Sequence, residues 1–185
     1  MGGMIAYEIS RQLRERGEEI AFMGLLDTHI HVSSNSTQPT DQKMLIAYLR
    51  QADRPIEHLD QMISETDLDI IPRAFAIAQQ AKLVPADLSL ADFQRYFEVY
   101  KANAYAASTY QPQPYSGTAT LFVCQEPPVK GAIAKQTNID RWRSLVHHLE
   151  LYKVPGNHKS MVLPPHVDHL AAEITNCLRR ALPGA

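Results

Sequence analysis

Just past Gly17 the chain runs Glu19-Ile-Ala-Phe-Met-Gly-Leu-Leu26 and stops at Asp27-Thr28. The run is apolar almost throughout and too short for a comfortable buried helix, so it reads as a parallel strand covered on both faces. That reading constrains the fold. A parallel strand needs a neighbour reached by a long crossover, and helices to cover its faces. The segment in front supplies one helix. Met4, Ile5, Ile9 and Leu13 follow the i, i+4 rhythm of a buried face, Arg11, Arg14, Glu15 and Arg16 form the wet face, and Gly17 is a natural terminator.

The rest of the chain repeats the alternation. Ser33 to Thr40 is a polar loop, and 41–110 is helical in pattern. Leu45, Ile46 and Leu49 make one stripe, and Ile70 to Leu83 a second segment with Pro72 near its start. Leu90 to Tyr105 carries Phe93, Tyr96, Phe97 and Tyr100 at helical spacing. Gln111-Pro-Gln-Pro-Tyr-Ser-Gly117 breaks the pattern. Thr118 to Cys124 reads as a second strand, closed by Glu126-Pro-Pro. A short helix over Ile139–Leu145 holds Trp142. Leu149 to Val154 alternates, as an edge strand does, and Pro155-Gly-Asn-His158 is a turn. The last helix, His166 to Leu182, shows Val167, Leu170, Ile174 and Leu178 on one stripe. The pattern predicts an α/β fold with a mostly parallel sheet and flanking helices. Three strands are few for such a sheet, and no strand precedes the first helix, so the sequence reads as beginning inside a domain.

Composition narrows the function. The 185 residues carry 18 Lys+Arg against 20 Asp+Glu, a net charge of −2, which leaves no basic excess for a phosphate backbone and argues against nucleic acid. The two cysteines, Cys124 and Cys177, make no disulfide scaffold and fit a reducing, cytoplasmic setting. No apolar run approaches the roughly 20 residues of a membrane span, and no signal peptide is visible.

Several motifs carry a resemblance. Met1-Gly-Gly-Met-Ile-Ala-Tyr resembles the second half of a Gly-x-Ser-x-Gly nucleophile elbow and its helix, the strained strand-to-helix turn that exposes a serine. Gly17-Glu-Glu-Ile-Ala-Phe-Met-Gly-Leu-Leu-Asp27 resembles the following strand and acid. Val154-Pro-Gly-Asn-His158-Lys-Ser-Met161 resembles the histidine loop, and Pro164-Pro-His-Val-Asp-His-Leu-Ala171 the helix after it. Over essentially its whole length the chain resembles the thioesterase domains of nonribosomal peptide synthetases and polyketide synthases, members of the α/β-hydrolase superfamily. The fold this implies is the C-terminal part of an α/β-hydrolase, with residues 41–110 as a helical lid inserted in one domain spanning 1–185.

The resemblance implies a Ser-Asp-His triad in that chain order. Asp27 is the implied acid, at a strand's C-terminal end where open α/β sheets bind ligands. His158 is the implied base. Glu126 is the alternative acid, because it follows the next strand. The serine would directly precede Met1, whose backbone N–H would be one oxyanion donor; the 185 residues hold no nucleophile, so the chain alone is expected to be inactive. Ser33, Ser34 and Ser36 lack the elbow's glycines, Ser10 lies inside the first helix, and both cysteines sit within regular elements. His29, His31, His166 and His169 lack the Cys or Glu partners of a metal cluster, so no metal is expected. His147 and His148 are expected to flank the third strand.

Phe93, Tyr96, Phe97, Tyr100 and Tyr105 either line an acyl or peptidyl channel or simply pack the lid. The implied activity is release of a chain from the 4′-phosphopantetheine arm of a carrier domain, by hydrolysis or cyclisation, with no cofactor bound to this domain. Two other readings stay open: a free-standing editing thioesterase, and a non-catalytic hydrolase fragment acting as an interaction module. An uncovered apolar strand edge also predicts self-association.

Overall fold

A computed structural model describes residues 1–30, 39–50, 56–63, 69–126 and 132–182. His31, Ser33, Ser34 and Ser36 lie outside them. In chain order the elements are α1 (Gly2–Glu15), β1 (Gly24–Leu26), α2 (Asp41–Leu49), α3 (Leu59–Met62), α4 (Ile70–Gln80) and α5 (Leu90–Thr109). There follow β2 (Tyr115–Cys124), α6 (Ala132–Leu145), β3 (Val146–Val154), a 3-10 turn over Ser160–Val162, and α7 (Val167–Ala181). Two compact units result, 1–32 with 111–185 and 33–110.

In the first unit the strands form one parallel sheet in the order β1-β2-β3. Leu25 pairs with Leu121 and Leu26 with Phe122; on the other side Leu121 pairs with Leu151 and Cys124 with Val154. A bulge interrupts the β2–β3 ladder between Tyr115 and Thr118. β2 is central and its second half is buried without a break, as a strand covered on both faces requires. One face carries a core of Tyr7, Leu25, Ala119, Leu121, Val123 and Trp142. The other joins Phe122, Cys124 and Val154 to Leu170 and Cys177 of α7. Helices therefore cover both faces, as the alternation predicts.

Several expectations need correcting. The first strand is confined to Gly24–Leu26, and only Leu25 among these is buried. Met23 O still accepts the Thr120 N–H at 2.9 Å, but the chain before it stands outside the ladder. Leu26 is 37% exposed, so coverage on both faces fails at β1. β3 starts at Val146, which places His147 and His148 within the strand, both exposed. α6 is twice the length expected for the Trp142 helix.

The face of α1 is also rotated from the expected stripe. Ile5 and Ile9 are each 53% exposed, while Tyr7 and Ser10 are buried. The reason is Tyr7. Its ring packs edge-on against Tyr115 and Trp142, and its hydroxyl donates to Gln113 O at 2.6 Å. A large ring with a satisfied polar tip takes the core position that a scan of aliphatic residues misses. Gly17 does end the helix, with φ +88 and the Glu18 N–H returning to Leu13 O. A cavity of about 390 Å³ beside β1 is lined in part by Ala6, Phe22, Leu26 and Ile174.

The second unit is helical. Ser89 caps α5, accepting from the Asp92 N–H. Its core gathers Leu45, Ile46 and Leu49 of α2, Ile77 of α4, and Phe93 and Phe97 of α5.

Candidate active site

The end of β1 sets the site. The Asp27 N–H donates to Phe122 O at 2.7 Å, so the residue is fixed by one last ladder bond. Its φ of +42 then turns the chain away from the sheet. A non-glycine residue holds this conformation at a cost of about 1 kcal/mol or more, and Asp tolerates it better than most. The turn is held from outside. Asn138 and Trp142, four apart on α6, both donate to Thr28 O, at 3.0 and 2.9 Å, and Asn138 Oδ1 accepts the Ile30 N–H at 2.9 Å. Gly3 of α1 presses on the same turn. A Cβ there would stand 2.0 Å from Thr28 Oγ1, whereas Gly2 has open space.

The second loop follows β3. The ladder continues past the strands, with Gln125 N–H bonded to Val154 O and Glu126 N–H to Gly156 O. Gly156, at φ +81, supplies a left-handed turn that a side chain would strain. Asn157 Oδ1 then accepts from the N–H groups of Lys159 and Ser160, and Ser160 Oγ accepts the Asn157 N–H. His158 stands inside this knot of bonds.

The two loops bring Asp27 and His158 together. His158 Nδ1 lies 3.1 Å from Asp27 Oδ2, and the Cys124 N–H donates to Oδ1 at 3.3 Å. The carboxylate is 13% exposed and the imidazole 70%. His29 Nε2 approaches the same Oδ2 at 3.8 Å. Burial pushes the Asp27 carboxyl up. His29, the Cys124 N–H and His158 together outweigh it and hold the carboxyl down at about 2. Asp27 is thus a charged acceptor at neutral pH. Its engagement of Nδ1 leaves Nε2 as the imidazole nitrogen that can take up a proton.

The other expected residues fall as follows. Glu126 is exposed, and its backbone is spent on Gly156; the carboxylate that meets His158 is that of Asp27. Met1 precedes the first turn of α1, whose N–H groups of Met4 and Ile5 return to Met1 O. Phe93 and Phe97 are fully buried in their own unit's core, which leaves them no surface for a substrate channel. Tyr100 is half-buried beside the same core, and Tyr96 and Tyr105 are exposed. Among the described residues no group of three or more His, Cys, Asp or Glu side chains could hold a metal ion. Sequence reasoning missed Asn138 and Trp142; their signal was an Asn and an indole N–H one helical turn apart, facing a loop carbonyl.

The Thioesterase domain family matches residues 1–178. This chain belongs to the thioesterase domain family. Vanchrobactin synthetase VabF of Vibrio anguillarum is 25% identical to this thioesterase domain over 182 residues, 98% of this chain and 5% of that protein. Enterobactin synthase component F of Escherichia coli K12 is 25% identical over 180 residues, 97% of this chain and 12% of its own. Holo-AB3403, a four-domain nonribosomal peptide synthetase, aligns with a TM-score of 0.79 at 27% identity, over 95% of this chain and 14% of that one. The NocB thioesterase domain, solved as a covalent complex with a fluorophosphonate nocardicin G analog, shares the fold at 18% identity and a TM-score of 0.58, over 96% of this chain and 62% of that one. The thioesterase domain described here therefore spans a small fraction of the synthetases it matches, and less than two thirds of the NocB domain. Its parallel sheet with helices on both faces is of the α/β-hydrolase type. No helix among the described residues is long and apolar enough to cross a membrane.

Proposed function

We propose that this domain releases a peptidyl or acyl chain from the 4′-phosphopantetheine arm of a carrier domain in a nonribosomal peptide or hybrid polyketide synthetase. The observation that carries the reading is the Asp27–His158 pair, 3.1 Å apart. A serine directly N-terminal to Met1 is the nucleophile. Its hydroxyl attacks the thioester carbonyl while His158 Nε2 takes the proton; the tetrahedral intermediate collapses and His158 returns the proton to the departing thiol. Water, or an amine or hydroxyl of the bound chain, then discharges the acyl-serine with His158 again as base. Asp27 fixes the tautomer and stabilises the imidazolium. The Met1 N–H, next to the serine, donates to the oxyanion. The pantetheine arm belongs to the partner, so this domain works without a cofactor of its own. The helices of 41–110 act as the lid that limits water at the ester, and the setting is the cytoplasm.

A polypeptide carrying Gly-x-Ser in front of an unchanged Met1–Ala185 tests this. A fluorophosphonate probe labels it at that serine, and the 185-residue chain stays unlabelled. Equal labelling of the chain alone would mean that the nucleophile lies elsewhere.

A further inference from the structure

We propose that His29 is a second imidazole partner of Asp27, a positioning residue whose protonation weakens the carboxylate's hold on His158. The inference rests on the reading of Asp27 and His158 as acid and base. His29 Nε2 and His158 Nδ1 both face Asp27 Oδ2, at 3.8 and 3.1 Å, while Oδ1 is taken by the Cys124 N–H. One oxygen is thus shared by two rings. The Asp27 side chain is 13% exposed and engaged at both oxygens, Oδ1 by the Cys124 N–H and Oδ2 by His158, so the two rings meet it in one orientation.

The two rings are not equivalent. His158 is held at hydrogen-bonding distance in the loop after β3, and His29 sits two residues past Asp27 on the same turn, 46% exposed. A neutral His29 at 3.8 Å adds only a weak contact. A protonated one places a full positive charge there, which draws the carboxylate towards it and offsets the negative charge that His158 needs opposite its imidazolium. Among the described residues, the charged, titratable and hydrogen-bonding groups facing this turn come from three further elements. They are His158 from the loop after β3, the guanidinium of Arg141 on α6, which donates to Ile30 O at 3.3 Å, and the end of β2 through the Cys124 N–H. Arg141 is always charged, so among the described residues facing this turn His29 and His158 are the groups that can gain a charge. The consequence is an acid-side switch. A charge on His29 loosens the pairing that keeps His158 oriented while Asp27 is still a carboxylate.

The 185-residue chain can test this without turnover. The Asp27 carboxyl carbon is followed by ¹³C NMR while both imidazoles are followed by ¹⁵N NMR, between pH 5 and 8. The expected result is two inflections in the Asp27 signal, one coincident with each ring. In His29→Gln the inflection belonging to His29 disappears and that of His158 remains. An Asp27 signal that follows His158 alone overturns the role of His29 and leaves the acid–base pair standing. A signal that follows His29 alone overturns the acid–base pair instead, and a signal that follows neither overturns both. Because the wild-type titration already separates these outcomes, the test survives a His29→Gln variant that folds poorly.

Discussion

Asp27 and His158 are 131 positions apart in the chain, and their side chains meet at 3.1 Å. Two backbone devices make this possible. Asp27 leaves β1 through a left-handed residue, and Gly156 does the same after β3, so two neighbouring loops of a parallel sheet turn towards one point. The ladder bonds of Asp27 to Phe122 and of Glu126 to Gly156 tie both loops to the end of β2.

The low pKa of Asp27 makes a prediction about acid stability. Its folded value of about 2 lies below the ordinary carboxylate value, so the folded state favours the charged form. The stabilisation is therefore fully present above about pH 4 and is lost as pH falls through about 2. Asp27→Asn should remove about 1 kcal/mol at pH 7, allowing for solvent screening, and should flatten the stability profile between pH 4 and 2. Urea melts of both proteins across that range check this. Parallel profiles would mean that the carboxylate is not held charged by the fold.

Gly3 and Gly2 should respond oppositely to alanine. At Gly3 the new Cβ meets the β-branched Thr28 at three atoms within 2.8 Å, so α1 or the Asp27 turn must move. We expect Gly3→Ala to cost about 1–3 kcal/mol, as overpacking does. Gly2→Ala enters open space in a helix and should be neutral or gain a few tenths of a kcal/mol. Thermal melting distinguishes them, and equal Tm values would remove the close approach from the account.

Trp142 offers a cleaner probe of the turn, because it is the only tryptophan. Trp142→Phe keeps most of the buried ring and removes the N–H that reaches Thr28 O. Asn138 still donates to that carbonyl, so the loss should be about 1 kcal/mol and not the larger penalty of an orphaned group. Combining it with Asn138→Ala should cost more than the two changes separately, since both serve one acceptor. Strict additivity would contradict the shared role.

The exposed side of α1 and the open side of β1 predict self-association of the 185-residue chain. Ile5 and Ile9 are each 53% exposed, Leu26 is 37% exposed, and among the described residues β1 pairs on one side only, with β2. Sedimentation at rising concentration should show species above the monomer, and Ile5→Glu with Ile9→Glu should move the distribution back. A monomer at every concentration would sink this prediction.

Much of this was legible in the sequence, for identifiable reasons. The order of strands and helices follows from short apolar runs separated by amphipathic segments, and the runs ending at Leu26, Cys124 and Val154 are all strands. Gly17 and Gly156 were legible because left-handed backbone selects glycine. The face of α1 was misread, since the fold buries Tyr7 by satisfying its hydroxyl and leaves Ile5 and Ile9 outside. Phe93 and Phe97 were open to two readings because core and channel positions share a helical period. The pairing of Asp27 with His158 came from resemblance, as no periodicity links residues so far apart. The approach of His29 to Asp27 was not legible, because the turn that folds it back depends on the conformation of Asp27 itself.

The most direct test of the central claim is the rate of acyl-thioester cleavage in the polypeptide that carries Gly-x-Ser before Met1, compared for His158→Ala, Asp27→Asn and Glu126→Gln. The account predicts that the first two lower kcat/KM by roughly 10³-fold or more while the protein stays folded, and that Glu126→Gln stays within a few-fold of the unsubstituted protein. Retained turnover in His158→Ala, or its loss in Glu126→Gln with Asp27→Asn still active, would contradict the assignment.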